Sequence, residues 1–352
     1  MNKLICHRLS AAICAALIAF ASPALAVDEE LIILDWSGYE DPGFHQMYIE
    51  QHGDSPAFSP FGEEEEAFQK LRAGFKADVS HPCSQSVRKW YDAGLLDPLQ
   101  TDKIAHWDDL NKGMVEAFKF GDSYYAMPAD WGATAIAYRN DLVPEEDVQS
   151  LQVFVDPKYA GKTSIADNVD DAYALAFLAT GVSDWNMATH EDLDRASAWL
   201  REAHKNVRDY WVDGTGLAQL MAPGEVVIAW AWNETPTTMN ADGHPIGYNR
   251  ETTEGSSTWF CGYVDLADGP NDEAKVYDFF NAWNDPGTVD YLVNAWGYGH
   301  GNATAMSMIG AEALESSYLT DITSVPLLFQ GPLNYDLREA MIAEFEMIKA
   351  GF

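Results

Sequence analysis

Leu31-Ile32-Ile33-Leu34 is a short, uninterrupted apolar run that ends at Asp35-Trp36-Ser37-Gly38-Tyr39. This pattern predicts a buried first strand that empties into a polar, aromatic loop. Trp131 to Tyr138 and Glu225 to Trp232 are further apolar, β-branched or aromatic runs of strand length, and Ala77-Asp78-Val79 predicts a shorter strand followed by the loop Ser80 to Ser84. Between them, Glu63 to Ala73, Asp171 to Thr180 and Asp192 to Ala203 carry apolar residues at helical spacing. Strands alternating with helices indicate an α/β fold, in which ligands sit beyond the carboxyl ends of strands. The loop at 35–39 is therefore a candidate site. No internal repeat or long linker breaks the chain, so two lobes are expected to be joined by crossing strands and not by a tether.

Composition sharpens this picture. The chain has 352 residues, 47 % of them hydrophobic, with 12 Trp, 16 Tyr and 16 Phe, enough for a large core in two lobes. Intrinsic disorder is excluded as the main state. With 55 acidic against 21 basic side chains the formal net charge is −34, which repels phosphate backbones and favours cationic ligands. Nucleic acid is therefore not an expected partner. Residues 1–26 have the order of a secretory signal: Lys3 and Arg8, the apolar stretch Ala11 to Phe20, and the small-residue site Ala24-Leu25-Ala26. Cleavage after Ala26 is expected, and no cysteine follows that site to take a lipid. The stretch is too short to span a bilayer, and no later segment reaches about 18 apolar residues. A soluble, exported, periplasmic protein is the expectation. Cys6 and Cys14 leave with the signal, so only Cys83 and Cys261 remain, either paired in the oxidising compartment or as two separate buried thiols.

Catalytic signatures are sparse. There is no G-x-S-x-G elbow, H-E-x-x-H, C-x-x-C or phosphate-binding G-x-x-x-x-G-K-[ST]. The nine His are scattered, Tyr124-Tyr125 lies in a polar turn, and Glu63 to Glu66 reads as the negative first turn of a helix complementing its dipole. No metal, cofactor or catalytic residue is expected. His81 reads as an exposed loop histidine. The rival from another class is a secreted hydrolase using paired carboxylates, with Asp171 and Glu234 as candidates; it requires an acid of raised pKa.

Four stretches carry a resemblance to the periplasmic spermidine/putrescine-binding proteins of ABC importers, members of the type II solute-binding fold. Asp35-Trp36-Ser37-Gly38-Tyr39 resembles the family's first-strand N-W-[ST]-x-Y motif, and Met127-Pro128 with Trp131-Gly132-Ala133-Thr134-Ala135-Ile136 resembles its P-x-x-W-G-A-T-A-I segment. Gly224-Glu225-Val226 running to Trp232-Asn233, and Ala295-Trp296 followed by Gly297-Tyr298, are similar in the same order, and Ile348-Lys349-Ala350-Gly351 is similar to the last helix. The resemblance implies two α/β lobes, about 27–137 with 262–305 and about 138–261 with 306–352, closing on a small organic cation. It also implies an ABC permease as partner in the inner membrane.

In that family methylenes lie between aromatic rings while carboxylates hold the ammonium groups, because a polyamine must exchange the hydration of its charges for acidic and cation–π partners. By resemblance Trp36, Tyr39, Trp232, Trp259 and Tyr298 fall on cage positions, and Asp171 on an acidic position, with Asp167 and Asn168 just before it. Ser37 offers a neutral hydrogen bond, and Cys83 and Ser84 fall on a loop contacting one ligand end. Asn168 and Asp171 equally have the chemistry of a helix start, Asn168 as cap. Trp131 reads as a packing residue. Two departures stand out: Gly38 occupies a position where polyamine binders commonly carry an acid, and Cys261 stands where they carry an Asp gripping an ammonium. Asp171 is then expected to hold the single strong charge, with Glu234 as a possible compensator. A polyamine is the first expected ligand and a mono-cationic or zwitterionic amine, betaine or amino-acid-like, the second.

Overall fold

Leu31, Ile33 and Leu34 lose all contact with water when the first strand is laid between two parallel neighbours, which is why the apolar run is extended. The structure, a computed structural model, describes residues 27–320 and 327–352. The expected export signal at 1–26 lies outside the described residues. The strands are β1 (Val27–Trp36), β2 (Ser55–Phe61), β3 (Val79–Ser80), β4 (Lys119–Phe120), β5 (Ser123–Tyr124), β6 (Met127–Arg139), β7 (Thr163–Ala166), β8 (Val207–Trp211), β9 (Ile228–Trp232), β10 (Ile246–Asn249), β11 (Ser256–Asp265), β12 (Gly299–His300) and β13 (Leu327–Phe329). The main sheet runs β2-β1-β3-β11-β6-β9-β7-β8, with β10 and β12 paired to β6 and β13 to β11. No helix of the described residues is long and apolar enough to cross a membrane.

Two long antiparallel strands, β6 and β11, lie at the middle of this order. On β6, Met127 and Ala129 pack into a core with Leu31, Ile33, Tyr263, Phe280 and Trp283, whereas Ala135 and Ile136 pack into another with Ile165, Tyr173, Phe177, Trp230 and Met341. One strand thus serves two cores. Further apolar clusters extend each side, around Phe61, Phe68 and Trp90 on the first and Trp211, Leu217 and Met239 on the second. The architecture is a two-lobed α/β fold in which strands, and no tether, cross between the lobes.

The expected helices are present as Glu64–Arg72, Val169–Ala179 and His190–His204. Asn168 caps the second by accepting the Asp171 N–H at 2.9 Å, and Thr189 and Asp192 form a reciprocal capping box on the third. The strand expected from Glu225 begins only at Ile228, because the N–H groups of Glu225 and Val226 are still bonded to the Leu220 carbonyl of helix Gly214–Met221. The short strand expected at Ala77-Asp78-Val79 is displaced to Val79–Ser80, where the Asp78 carboxylate accepts the Ile32 N–H at 2.7 Å. Cys83 and Cys261 are joined by a disulfide, the first of the two alternatives that the sequence leaves open.

Candidate functional site

β1 ends at Trp36, and the chain turns sharply into the polar loop. Trp36 is fixed from below, its indole N–H donating to the His81 carbonyl at 2.9 Å. Gly38 has a φ of +104°, and a Cβ there would lie 2.5 Å from the Trp296 ring, so a residue with a side chain is excluded by both backbone and space. The Trp296 indole occupies what an acidic side chain at 38 would need. β9 ends at Trp232, whose indole N–H donates to Asp171 at 2.7 Å. On β11, Trp259 and Cys261 point to one face because side chains alternate along a strand.

These elements enclose a cavity of about 300 Å³. Ten of the twelve expected residues line it: Trp36, Ser37, Tyr39, Cys83, Asn168, Asp171, Trp232, Trp259, Cys261 and Tyr298. The rings meet mostly edge to face, Trp36 to Trp232 at 6.1 Å between centroids and Trp259 to Tyr298 at 5.1 Å. Two expectations are corrected. Ser84 is buried on the first turn of helix Ser84–Asp92, its hydroxyl donating to the Gln330 carbonyl at 2.9 Å, and the next residue, Gln85, reaches the cavity instead. Asp167 lies in a separate groove, ion-paired to Lys349 of the C-terminal helix.

His81 departs furthest from its expected place. Far from being an exposed loop residue, it is fully buried, with Nδ1 2.9 Å from Asp35 and Nε2 3.3 Å from Asp130, and it stacks on Tyr263. Burial pushes its pKa down, but the two flanking carboxylates overcome this and raise it to about 10. Tyr39 and Tyr263 donate their hydroxyls to the same two carboxylates. A buried imidazolium thus underpins the first-strand loop. Trp131 lies outside the cavity and donates its indole N–H to the His300 carbonyl at 3.1 Å.

Sequence reasoning missed several lining residues. Trp296, Glu40, Gln85, Asp213, Thr215 and Gln330 all face the cavity. Trp296 stood inside a quoted motif, and Asp213 has the signature of a helix cap ahead of Gly214. Gln330 has no local signal at all, yet its amide donates to Asp171 at 2.9 Å and to Ser257 at 3.0 Å.

Four carboxylates line the cavity, Glu40, Asp171, Asp213 and Glu234, while no Lys, Arg or His does so among the described residues. Asp171 is raised above its usual range by burial, against the opposing hydrogen bonds from Gln330, Trp232 and Thr134. Glu234 is half-buried and raised to about 7, chiefly by burial, with Tyr298 opposing and nearby Asp213 adding to the shift. Trp259 Nε1 and Gln85 Oε1 are buried without a hydrogen-bond partner among the described residues. No group of three or more potential metal ligands occurs among the described residues. The arrangement can strip water from an organic cation, stack its apolar part and neutralise its charge.

Known proteins share this architecture. The spermidine/putrescine-binding periplasmic protein of Escherichia coli K12 is 24 % identical over 291 residues, covering 82 % of each chain. The putrescine-binding periplasmic protein PotF of the same organism is 24 % identical over 327 residues and 88 % of each chain. Among solved structures, a putative spermidine/putrescine ABC transporter protein from Listeria monocytogenes superposes with a TM-score of 0.80 at 21 % identity, covering 91 % of this chain and 98 % of that one. Residues 48–311, most of both lobes, match the model of one family, and with the two-lobed fold and the enclosed cavity this establishes that the chain belongs to the bacterial extracellular solute-binding proteins.

Proposed function

We propose that the protein is the extracytoplasmic binding component of an ABC importer that takes up a polyamine or a related small organic cation. The observation that carries this reading is the cavity itself: seven aromatic residues and four carboxylates, with no basic side chain among the described residues. Aromatic faces and anions together are the solvent that a flexible ammonium ligand requires on leaving water. Relatives named for spermidine and putrescine across most of their length support the same ligand class.

In this reading the signal at 1–26 delivers the chain to the periplasm, the lobes are about 27–137 with 262–305 and about 138–261 with 306–352, and the closed form is presented to an inner-membrane permease. No covalent chemistry is performed. A raised acid is present at Glu234, as a hydrolase would need, but Asp171, the second carboxylate of that reading, already accepts three hydrogen bonds, from Thr134, Gln330 and Trp232.

Thermal unfolding of the exported chain with putrescine or spermidine tests the proposal. A ligand at 100 times its dissociation constant adds about 2.7 kcal/mol of stability, readily visible as a shift in Tm. The amine is recovered unchanged. No shift with any polyamine, or release of a product, would overturn the reading.

A further inference from the structure

The four carboxylates of the cavity differ in how much of their accepting capacity is already used. Asp171 Oδ1 accepts from the Thr134 hydroxyl and the Gln330 amide, both at 2.9 Å, and Oδ2 accepts from the Trp232 indole at 2.7 Å. A carboxylate has about four lone-pair positions, so three neutral donors leave little for a ligand. Asp213 accepts the Gly216 N–H at 2.7 Å as the cap of a helix, and Glu40 accepts the Gly38 N–H at 2.7 Å in an exposed turn. Glu234 also accepts a single hydrogen bond, but the weakest of the set, from the Tyr298 hydroxyl at 3.4 Å, and unlike Glu40 it is half-buried.

The fold makes room for that carboxylate. Glu234 opens helix Glu234–Ala241 directly after β9, and its carboxyl group lies over Gly214, where a Cβ would come within 2.3 Å of Oε2. The titratable groups facing it are Tyr298 and Asp213. Neither is a cation, so a half-buried acid is held in the cavity without a positive partner. Such a group is stabilised in its charged form by whatever cation enters.

We propose that Glu234 anchors a cationic group of the ligand, and that Asp171 is a positioning residue that orients the Trp232 ring through its indole N–H. The assignment rests on the organic-cation reading of the cavity. It supplies the charge that Gly38 and Cys261 lack, from the end of β9 and the helix that follows it. The ligand class that follows is a primary or secondary ammonium whose head lies at Tyr298 and Glu234 and whose remainder crosses the aromatic slot.

The test is calorimetric titration of the exported chain with putrescine and with spermidine, at pH 6.5 and in two buffers of different ionisation enthalpy. Glu234→Gln is expected to weaken binding by about 30-fold or more, the effect of removing one partner of a desolvated charge pair. Asp171→Asn is expected to lose less than about tenfold, because a ring is reoriented and no ion pair is lost. The native protein should release a fraction of a proton on binding, since Glu234 ionises as the ammonium arrives, and Glu234→Gln should release none. That proton count is insensitive to a purely structural role and needs no variant to be informative. Loss at Asp171→Asn equal to or greater than that at Glu234→Gln, or binding by the native protein without proton release, overturns the assignment while leaving the cation reading intact. Absence of binding by the native protein to either amine overturns both.

Discussion

His81 shows what one side chain does under the ligand cavity. Its ring bridges Asp35 and Asp130 with no exposure to water, and Trp36 hangs from its backbone carbonyl. Removing the imidazolium leaves two buried carboxylates without a counter-charge, which typically costs about 3–5 kcal/mol. His81→Gln is therefore expected to lower stability by about that amount in denaturant unfolding and to weaken ligand binding through the misplaced Trp36. The pH dependence has a definite sign. A folded pKa of about 10, above the ordinary 6.5, gives stability that is complete below 6.5 and is lost as pH rises through about 10. An alkaline stability profile as steep in His81→Gln as in the native protein would refute this. None of it was legible in Ser80-His81-Pro82, because the partners come from positions 35 and 130. Trp36 and Trp232 were legible because each ends a strand whose apolar run and motif stand in the sequence, whereas Tyr39 and Tyr298 lie just outside strands and, like Trp259, were reached only through the family resemblance. Gln330 and Glu40 were not legible, because neither polar residue carries a local pattern.

At the scale of elements, hydrophobic runs located β1, β6 and β9, while their ends were set by hydrogen bonds that no run reports. β9 starts late because Leu220 holds the two preceding N–H groups, and β3 is displaced by the Asp78 carboxylate. The disulfide matters at this scale. Cys83 is the N-cap residue of helix Ser84–Asp92 and Cys261 sits in β11, 178 residues away, so the bond fixes a helix of the cavity wall to a crossing strand. Gln85 and Trp259 are carried by the two joined elements, and both line the cavity. Loss of a native disulfide typically costs about 2–5 kcal/mol. The Cys83→Ser, Cys261→Ser double variant is expected to unfold at correspondingly lower denaturant and to bind ligand more weakly. Labelling of the unfolded, unreduced chain after removal of residues 1–26 should find no free thiol, and two labelled thiols would contradict the bond.

For the molecule as a whole, the proposed function makes ligand affinity depend on contacts formed when the lobes are together. Arg338, on helix Tyr335–Lys349, donates to Asp170 of helix Val169–Ala179 at 2.7 Å and to Glu65 of helix Glu64–Arg72 at 3.2 Å. The first two helices pack in the core of Tyr173 and Met341, the third in that of Phe68 and Trp90, so the guanidinium spans the junction. Gln85 joins the same network, donating to Glu64 at 2.9 Å. Burial raises Glu64 to about 8 and Glu63 to about 7, with Asp170 adding to the shift and Arg338 opposing it. Arg338 does not line the cavity, so its effect on binding must pass through closure, which reduces apparent affinity by the fraction of closed protein. Arg338→Met leaves Asp170 buried without its cation. It is expected to weaken binding of putrescine or spermidine by about tenfold or more and to raise the radius of gyration measured without ligand, since breaking a buried pair typically costs about 3–5 kcal/mol. An Arg338→Met protein with native affinity and native dimensions in solution scattering would show that the network holds one lobe together and has no part in closing two.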